Sequence, residues 1–238
     1  MDSAKKNKGL KEQAYRFLSK AGIGIFQKVF PEYFAKEPLA PSDRYVEYPF
    51  VIKNLPKPPA RVLDVGCSGS FFPLLLASFG YESYGVDNRP YPILNKIKFP
   101  NFTFIQSDIR KTSFADSYFD AVTAISTIEH IGIGGRYGMK DDLEGDANAV
   151  KEIIRILKPK GVALITVPFG KSQIIRPHMR VYDEIGIKRI TDGLNIELAQ
   201  YYVQDSTGDW CFCSINEAHG VDIKLDRYPL CCVKLKKE

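Results

Sequence analysis

Acidic residues recur in this sequence at positions where they could bind a nucleoside. Asp64 lies inside a short apolar run, and Asp87 and Asp108 each end such a run, 23 and then 21 residues further along. A carboxylate at the end of a buried strand can accept hydrogen bonds from ribose hydroxyls, at a separation of about 20 residues from the preceding cofactor turn. The spacing therefore predicts a cofactor site with a nucleoside part.

A second group of residues could do acid–base chemistry. Glu129 and His130 follow another apolar run, which ends at Ser126. The chain has three histidines, and an imidazole titrates close to neutral pH, so His130 is the candidate general base. Two other roles stay open for His130, which are holding its loop by hydrogen bonds and packing beside a cofactor.

A parallel sheet would bring these residues to one edge, because the carboxyl ends of its strands lie side by side. Apolar runs bounded by turn residues predict such strands. The predicted strands cover residues 61–65, 82–86, 102–106, 119–125 and 162–168, and the last two cover 194–203 and 228–235. Helices are predicted over residues 70–79, 90–96 and 181–190.

The helix before the fifth strand has the clearest pattern. Apolar residues run from Val150 to Leu157 at the spacing i, i+3, i+4, i+7, which places them on one helical face. Asp146 is the predicted N-cap, and Pro159 is predicted to end the helix.

The first strand leads into a turn of small residues that narrows the choice of cofactor. A dinucleotide fingerprint requires glycine at three positions that are here Gly66, Ser68 and Phe71. A phosphate-binding loop requires a lysine, which this turn lacks. What remains is the pattern acid-x-Gly-x-small-x-small, formed by Asp64, Gly66, Ser68 and Ser70.

This pattern resembles motif I of the class I S-adenosylmethionine (SAM) methyltransferases, where glycine is usual in place of Ser68 and Ser70. The resemblance covers about residues 44–238 and is best matched from motif I to the fifth strand. It implies an α/β fold, a Rossmann-like three-layer sandwich with a seven-stranded, mostly parallel sheet and a reversed hairpin at its edge. It also implies a helical cap, assigned to the basic arm at residues 1–43, in front of a SAM-dependent methyltransferase domain at residues 44–238.

The resemblance implies SAM as the cofactor, with Asp87 on the ribose and Asp108 on the adenine amino group. Arg44 could meet the cofactor's carboxylate or could pair with Glu47. The residues expected to bind the cofactor are Asp64, Gly66, Cys67, Ser68, Asp87, Asn88, Asp108, Ile109 and Ser126.

The acceptor is expected beyond the fourth and fifth strands, where the Glu129–His130 pair resembles many small-molecule methyltransferases. Arginine and tyrosine side chains there favour a hydroxylated or anionic acceptor, such as a sugar, a uronic acid or a sugar nucleotide. The predicted function is therefore SAM-dependent O-methylation of a small or saccharide acceptor. The residues expected to bind it are Glu129, Arg136, Tyr137, His178, Arg180 and Tyr182.

Methyl transfer from a sulfonium is a displacement in which the protein chiefly aligns the reactants and excludes water. A hydroxyl acceptor also has to lose a proton, which is the role expected for His130. An alternative is a Mg²⁺ site formed by Glu129, His130, Asp141 and Asp142. Acidic residues at the start of a helix are also stabilised by the helix dipole, which explains them without a metal. We therefore expect no metal site.

Three other functions compete with this hypothesis. The domain could methylate RNA or protein through the basic arm, could bind SAM without catalysis, or could be an NAD-dependent oxidoreductase. Methylation of base or glutamine amino groups is disfavoured, because the family's Asn/Asp-Pro-Pro-aromatic tetrapeptide is replaced by residues 126–129, Ser-Thr-Ile-Glu.

Composition indicates one soluble globular domain. The chain has 238 residues, of which 45% are hydrophobic and 26% charged. The net charge of +5 equals that of residues 1–30, so the basic character belongs to the arm, which could also touch an anionic membrane. The odd number of cysteines, five, argues against a disulfide framework, and their spacing does not match a zinc site, so buried thiols are expected. The absence of an apolar leader in the sequence favours a cytoplasmic protein.

Overall fold

The computed structural model describes residues 42–91, 98–135 and 140–238, together with Lys28. Contacts divide the chain into two units, Met1–Ser42 and Asp43–Glu238. The predicted helical arm, most of the predicted helix at 90–96, and the predicted acceptor residues Arg136 and Tyr137 lie outside the described residues.

Strands and helices alternate along the second unit. The strands are β1 (Arg61–Val65), β2 (Glu82–Asp87), β3 (Phe102–Gln106), β4 (Phe119–Ile125), β5 (Leu157–Pro168), β6 (Gln173–Ile175), β7 (Met179–Val181), β8 (Asn195–Gln204), β9 (Trp210–Cys213) and β10 (Leu230–Lys236). The helices are α1 (Arg44–Asn54), α2 (Phe72–Ser78), α3 (Gly145–Ile156), α4 (Glu184–Ile190) and α5 (Ile215–His219), and a short 3-10 helix covers Ile128–His130.

The main sheet has eight strands in the order β3-β2-β1-β4-β5-β10-β8-β9. The first five strands pair in parallel, and β10, β8 and β9 add to them antiparallel, which confirms the mostly parallel sheet with a reversed hairpin. The predicted count of seven strands is one too low, because the sequence pattern does not predict β9. This edge strand is four residues long and carries Phe212 with 68% of its surface exposed, so it lacks the mostly buried runs of β1, β4 and β10.

The core consists of two apolar clusters on opposite faces of the sheet. Val62, Ala121 and Leu164 pack on one face with residues of α1 and α2. The next residue in each strand belongs to the other face, which packs with residues of α3, α4 and α5. Alternate residues of a strand point to opposite faces, so covering both faces explains the nearly continuous apolar runs. The predicted three-layer sandwich is confirmed.

The start of α3 differs from the prediction. Glu144 is the N-cap, and Asp146 lies inside the helix, fully buried, with its carboxylate near side chains outside α3. The helix ends at Ile156 because β5 already begins at Leu157, so Pro159 lies in a strand and does not end the helix.

The five cysteines are all free thiols. Cys231 and Cys232 belong to opposite core clusters, as two neighbours in a strand should. Cys67 and Cys213 are also buried, whereas Cys211 is exposed on the edge strand, so the expectation of buried thiols is wrong for this residue.

In the described part of the chain, none of the helices is both long enough and apolar enough to cross a membrane.

Candidate active site at the carboxyl ends of the parallel strands

The register of the parallel strands brings the predicted cofactor residues to one edge. Asp64 lies opposite Thr123 in the β1–β4 pair, and Asp87 lies opposite Gln106 in the β2–β3 pair. The turn after β1, the turn after β3 and Ser126 after β4 therefore leave the sheet at the same side. This edge is where open α/β sheets bind their ligands.

Gly66 shows why the turn after β1 begins with glycine. Its φ is +76°, its amide donates to the carbonyl oxygen of Val86 at 2.8 Å, and an added Cβ would lie 2.4 Å from the Thr127 side chain. The second left-handed residue of the turn is Gly69, at φ +92°. Ser68 and Ser70, which stand where the family usually has glycine, are not among the residues with positive φ.

The Asp64 carboxyl is buried and accepts a hydrogen bond from the Thr123 hydroxyl at 2.7 Å. Burial raises its pKa to about 7, while the Thr123 hydrogen bond and Arg44 act in the opposite direction and Asp87 adds to the rise. A positive charge placed beside this group would favour its ionised form.

Asp87 reaches the turn after β1, and its carboxylate is buried. One oxygen accepts from the Ser68 amide at 2.9 Å, and the other accepts from the Arg89 amide at 2.8 Å and from its Nε at 3.2 Å. The Asn88 side chain is exposed, and its carbonyl oxygen accepts from Gln106 at 3.1 Å. Asp87 is thus positioned beside the turn and already has partners.

Asp108 has a similar environment after β3. The Arg110 amide donates to it at 2.9 Å, and the guanidinium donates at 2.6 Å and 3.1 Å. Partial burial opposes ionisation, but the Arg110 hydrogen bonds outweigh it and hold the pKa of Asp108 below its usual value. Ile109 packs in the core.

The Cys67 side chain points into the core and not towards a ligand. It is fully buried, and burial raises the pKa of its thiol. Its Sγ would lie 2.7 Å from a Cβ added at Gly85, so it packs tightly against β2. Only the backbone of Cys67 is therefore suited to the predicted role in cofactor binding.

Glu47 is a buried acid at this edge to which sequence reasoning gave no role of its own. Its carboxylate accepts from the Ser126 hydroxyl at 2.6 Å and from the Thr166 hydroxyl at 2.5 Å, and it pairs with Arg44. Burial raises the pKa of Glu47, and Arg44 opposes this. The structure thus shows the Arg44–Glu47 pair that the sequence left as one of two options.

His130 lies in the short 3-10 helix directly after β4. Its Nδ1 is 2.6 Å from the backbone carbonyl oxygen of His178, and its Nε2 is 3.5 Å from an oxygen of Glu129. A carbonyl oxygen can only accept, so this contact assigns the proton of a neutral imidazole to Nδ1 and leaves Nε2 as the basic nitrogen. Glu129 is fully buried, and burial raises its pKa well above the usual value.

Arg180 and Tyr182 do not line an acceptor site, which corrects the prediction for these two residues. Arg180 is buried and donates to the carbonyl oxygens of Ile131 and Asp142, and the Tyr182 hydroxyl donates to Asp146 at 3.0 Å. Arg180 instead ties β7 to the segment between β4 and α3, and Tyr182 ties the end of β7 to α3. His178 contributes its backbone carbonyl to His130.

The alternative of a Mg²⁺ site finds no support in the arrangement of side chains. Asp141 pairs with Arg176 at 2.6 Å, and Asp142 pairs with Arg110 at 2.7 Å. Among the described residues, no group of three or more histidines, cysteines or acids is placed to hold a metal ion.

Comparison with known families assigns the domain. Residues 63–165, from β1 to β5, match a family described as a methyltransferase domain. Residues 63–165 form a class I SAM-dependent methyltransferase domain. SAM is the cofactor of this type of domain, and the matched region contains the turn after β1 and both strand-end acids, Asp87 and Asp108.

Individual relatives agree with this methyltransferase assignment. A sterol 24-C-methyltransferase of Yarrowia lipolytica is 28% identical over 141 residues, which cover 56% of this chain and 34% of that protein. The chain thus matches about a third of the length of this curated relative.

Solved structures share the fold of the methyltransferase domain. A SAM-dependent methyltransferase from Methanosarcina mazei has a TM-score of 0.57 at 16% identity, covering 80% of this chain and 97% of that one. The cyclase SpnF has a TM-score of 0.60 at 14% identity, covering 85% and 84%. A cyclase among these neighbours illustrates that such likeness shows the fold and not the reaction.

The residues at the strand ends fit SAM. Asp87 and Asp108 have the carboxylate oxygens that ribose hydroxyls and an adenine amino group need as acceptors, although Arg89 and Arg110 occupy those oxygens in this structure. The buried Asp64 suits the positively charged end of the molecule. A Cβ added at Gly69 would have nothing within 4 Å, so the backbone of the turn is open to a ligand there. When bound, SAM supplies an activated methyl group.

Proposed function

We propose that this methyltransferase domain transfers a methyl group from SAM to a hydroxyl group of a small neutral acceptor, with His130 taking the hydroxyl proton. The observation that carries the proposal is the 2.6 Å contact between Nδ1 of His130 and the backbone carbonyl oxygen of His178. It holds the ring in the tautomer whose Nε2 can accept a proton.

The position of His130 supports this role. Its amide donates to the carbonyl oxygen of Thr127 at 3.1 Å, and the Thr127 side chain lies against Gly66 of the cofactor turn. His130 is therefore three residues from Thr127, which packs against the turn that we propose binds SAM. A base has to lie within hydrogen-bond reach of the proton that it removes, either directly or through one water.

The surroundings of His130 favour a neutral acceptor over a uronic acid. Arg180, which supported the prediction of an anionic acceptor, donates instead to the backbone carbonyl oxygens of Ile131 and Asp142. Burial raises the pKa of Glu129, the neighbour of His130, well above the usual value, and an acceptor carboxylate buried beside it would meet the same cost of desolvation.

Methyl-labelled SAM offered with paired acceptors tests the proposal. We expect transfer to neutral polyols or sugars and little transfer to the matching uronic acids. His130→Ala should lower kcat by about 10²- to 10⁴-fold, the usual contribution of a general base, and leave SAM affinity within about twofold. His219→Ala is the matched control, because His219 is exposed on α5 and pairs with Glu184. Unchanged kcat in His130→Ala would remove His130 as the base.

A second candidate is methylation of carbon, for which the relative named a sterol 24-C-methyltransferase is the reason. Adding the methyl group of SAM to a double bond leaves a carbocation, which becomes a neutral product by losing a proton to a nearby base. Glu129 could accept that proton, since it is buried and its Oε2 has no hydrogen-bond partner in the described part of the chain. Labelled product with new carbon–methyl bonds, and turnover that depends on Glu129 but not on His130, would favour this candidate.

A further inference from the structure

The two acids of the nucleoside site share one local structure. Asp87 and Asp108 are each followed two residues later by an arginine, Arg89 and Arg110. In both cases the arginine amide donates to Oδ1 of the acid, at 2.8 Å and 2.9 Å, and the Nε donates to the same oxygen, at 3.2 Å and 3.1 Å. The sequence pattern Asp-x-Arg thus closes the same ring at two neighbouring strand ends.

Each guanidinium also holds a second segment. Nη2 of Arg89 donates to the backbone carbonyl oxygen of Ser68 at 3.0 Å, in the turn after β1. Nη1 of Arg110 donates to Asp142 at 2.7 Å, in the loop before α3. An arginine that left its acid would therefore still have a partner close by.

Counting hydrogen bonds shows that neither acid has room for a ligand as it stands. A carboxylate has about four acceptor positions. Asp87 receives four donor contacts, from the Ser68 amide and from the amide, Nε and Nη2 of Arg89. Asp108 also receives four, all from Arg110. The donors of a nucleoside, which are its ribose hydroxyls and adenine amino group, therefore meet acceptor positions that are already taken.

We propose that Arg89 and Arg110 set the affinity of the nucleoside site by competing with the ligand for Asp87 and Asp108. The backbone amides stay in place when a nucleoside enters, and the guanidinium groups are displaced towards Ser68 and Asp142. Both arginine side chains reach solvent, at 42% and 27% exposure, so their displacement opens no buried cavity. This inference rests on the proposed function only in taking a nucleoside as the ligand.

Calorimetric titration with adenosine and with SAM tests the competition without any turnover. Adenosine is neutral and lacks the amino-acid end, so it reports on the nucleoside site alone. We expect Arg89→Ala and Arg110→Ala each to lower the Kd of both ligands by about two- to tenfold, which is what losing one partly exposed ion pair would release. Arg89→Lys and Arg110→Lys should fall between these variants and the wild type, because lysine lacks the planar fork.

Arg61→Ala is the matched control, because Arg61 pairs with Glu82 at 3.0 Å at the opposite ends of β1 and β2. Its Kd values should equal those of the wild type. Unchanged or weaker binding in both arginine variants would overturn the competition, even if SAM binds well and methyl transfer is observed. Nucleoside binding with no methyl transfer to any acceptor would count against the proposed function and leave the competition standing. No binding by the wild type or by any variant would overturn both.

Discussion

Nδ1 of His130 lies 2.6 Å from the backbone carbonyl oxygen of His178, in the connection between β6 and β7. The two residues are 48 positions apart in the sequence, so the tautomer of the candidate base depends on a distant hairpin. The contact uses the backbone of His178 and the side chain of His130. The His130 side chain is therefore the candidate base, whereas His178 orients it without using its own side chain.

His178→Ala should leave turnover within about threefold of the wild type, because the carbonyl oxygen that orients His130 remains. Steady-state kinetics with a methyl acceptor measure this. A large rise in KM with unchanged kcat would instead show that the His178 side chain binds the acceptor, as the sequence predicts.

Gly66→Ala should destabilise the domain by about 2–4 kcal/mol, since it adds left-handed strain to a close contact with Thr127. Denaturant unfolding measures the loss, and SAM affinity should fall with it. Gly69→Ala is the control, because its φ is also positive but an added Cβ would have nothing within 4 Å. It should lose only about 1–2 kcal/mol. Equal losses in the two variants would contradict the steric explanation.

The Asp64 carboxyl should make stability fall as pH rises. Its folded-state pKa is raised to about 7 by burial, so between about pH 4 and pH 7 the folded protein keeps a proton that the unfolded chain has lost. The contribution is largest below about pH 4 and declines by about 2–4 kcal/mol towards pH 7. Urea unfolding of the wild type and Asp64→Asn at pH 5 and pH 8 checks this, because the variant should lack that decline. Parallel slopes in the two proteins would show that Asp64 does not titrate in this range.

The Glu152 carboxylate should make the free energy of unfolding fall as the pH is lowered, which is opposite to the effect of Asp64. Its hydrogen bonds with Arg155, and then those with Thr112, lower its pKa to about 2 in spite of partial burial. The stability that it contributes is present above about pH 4.5 and is lost as pH falls towards 2. With allowance for solvent screening, Glu152→Gln should cost about 1 kcal/mol at pH 7 and have less effect at pH 3. Asp116→Asn is a useful control, because Asp116 pairs with the same Arg155 but its side chain is 77% exposed.

The parallel half of the fold was predictable because β1, β2, β3 and β4 are short, mainly apolar runs bounded by turn residues. The acid that ends β2, Asp87, accepts from the Ser68 amide in the turn after β1, and Asp108 follows the end of β3. The edge strand β9 was not predicted, since its run of four residues is short and two of them, Cys211 and Phe212, are exposed.

Two buried polar networks account for the rest of what the sequence did not predict. Glu47 binds Ser126 and Thr166, which lie 79 and 119 residues away. Arg180 and Tyr182 have the residue types of a binding site, but Arg180 donates to backbone carbonyl oxygens and Tyr182 donates to Asp146, which the sequence predicted as an N-cap. Such pairings are set by the packing of β4, β5, β7 and α3, and no local pattern encodes them.

The left-handed residues Gly66 and Gly69 have a consequence for recognising distant homologues. This loop has glycine at the two positions with positive φ and serine at 68 and 70, where φ is not positive. A search that compares backbone torsion angles would therefore group it with loops that contain more glycines. A search that counts glycines would separate them. Substitutions that move a glycine by one residue should therefore be more damaging than those that replace a serine by glycine.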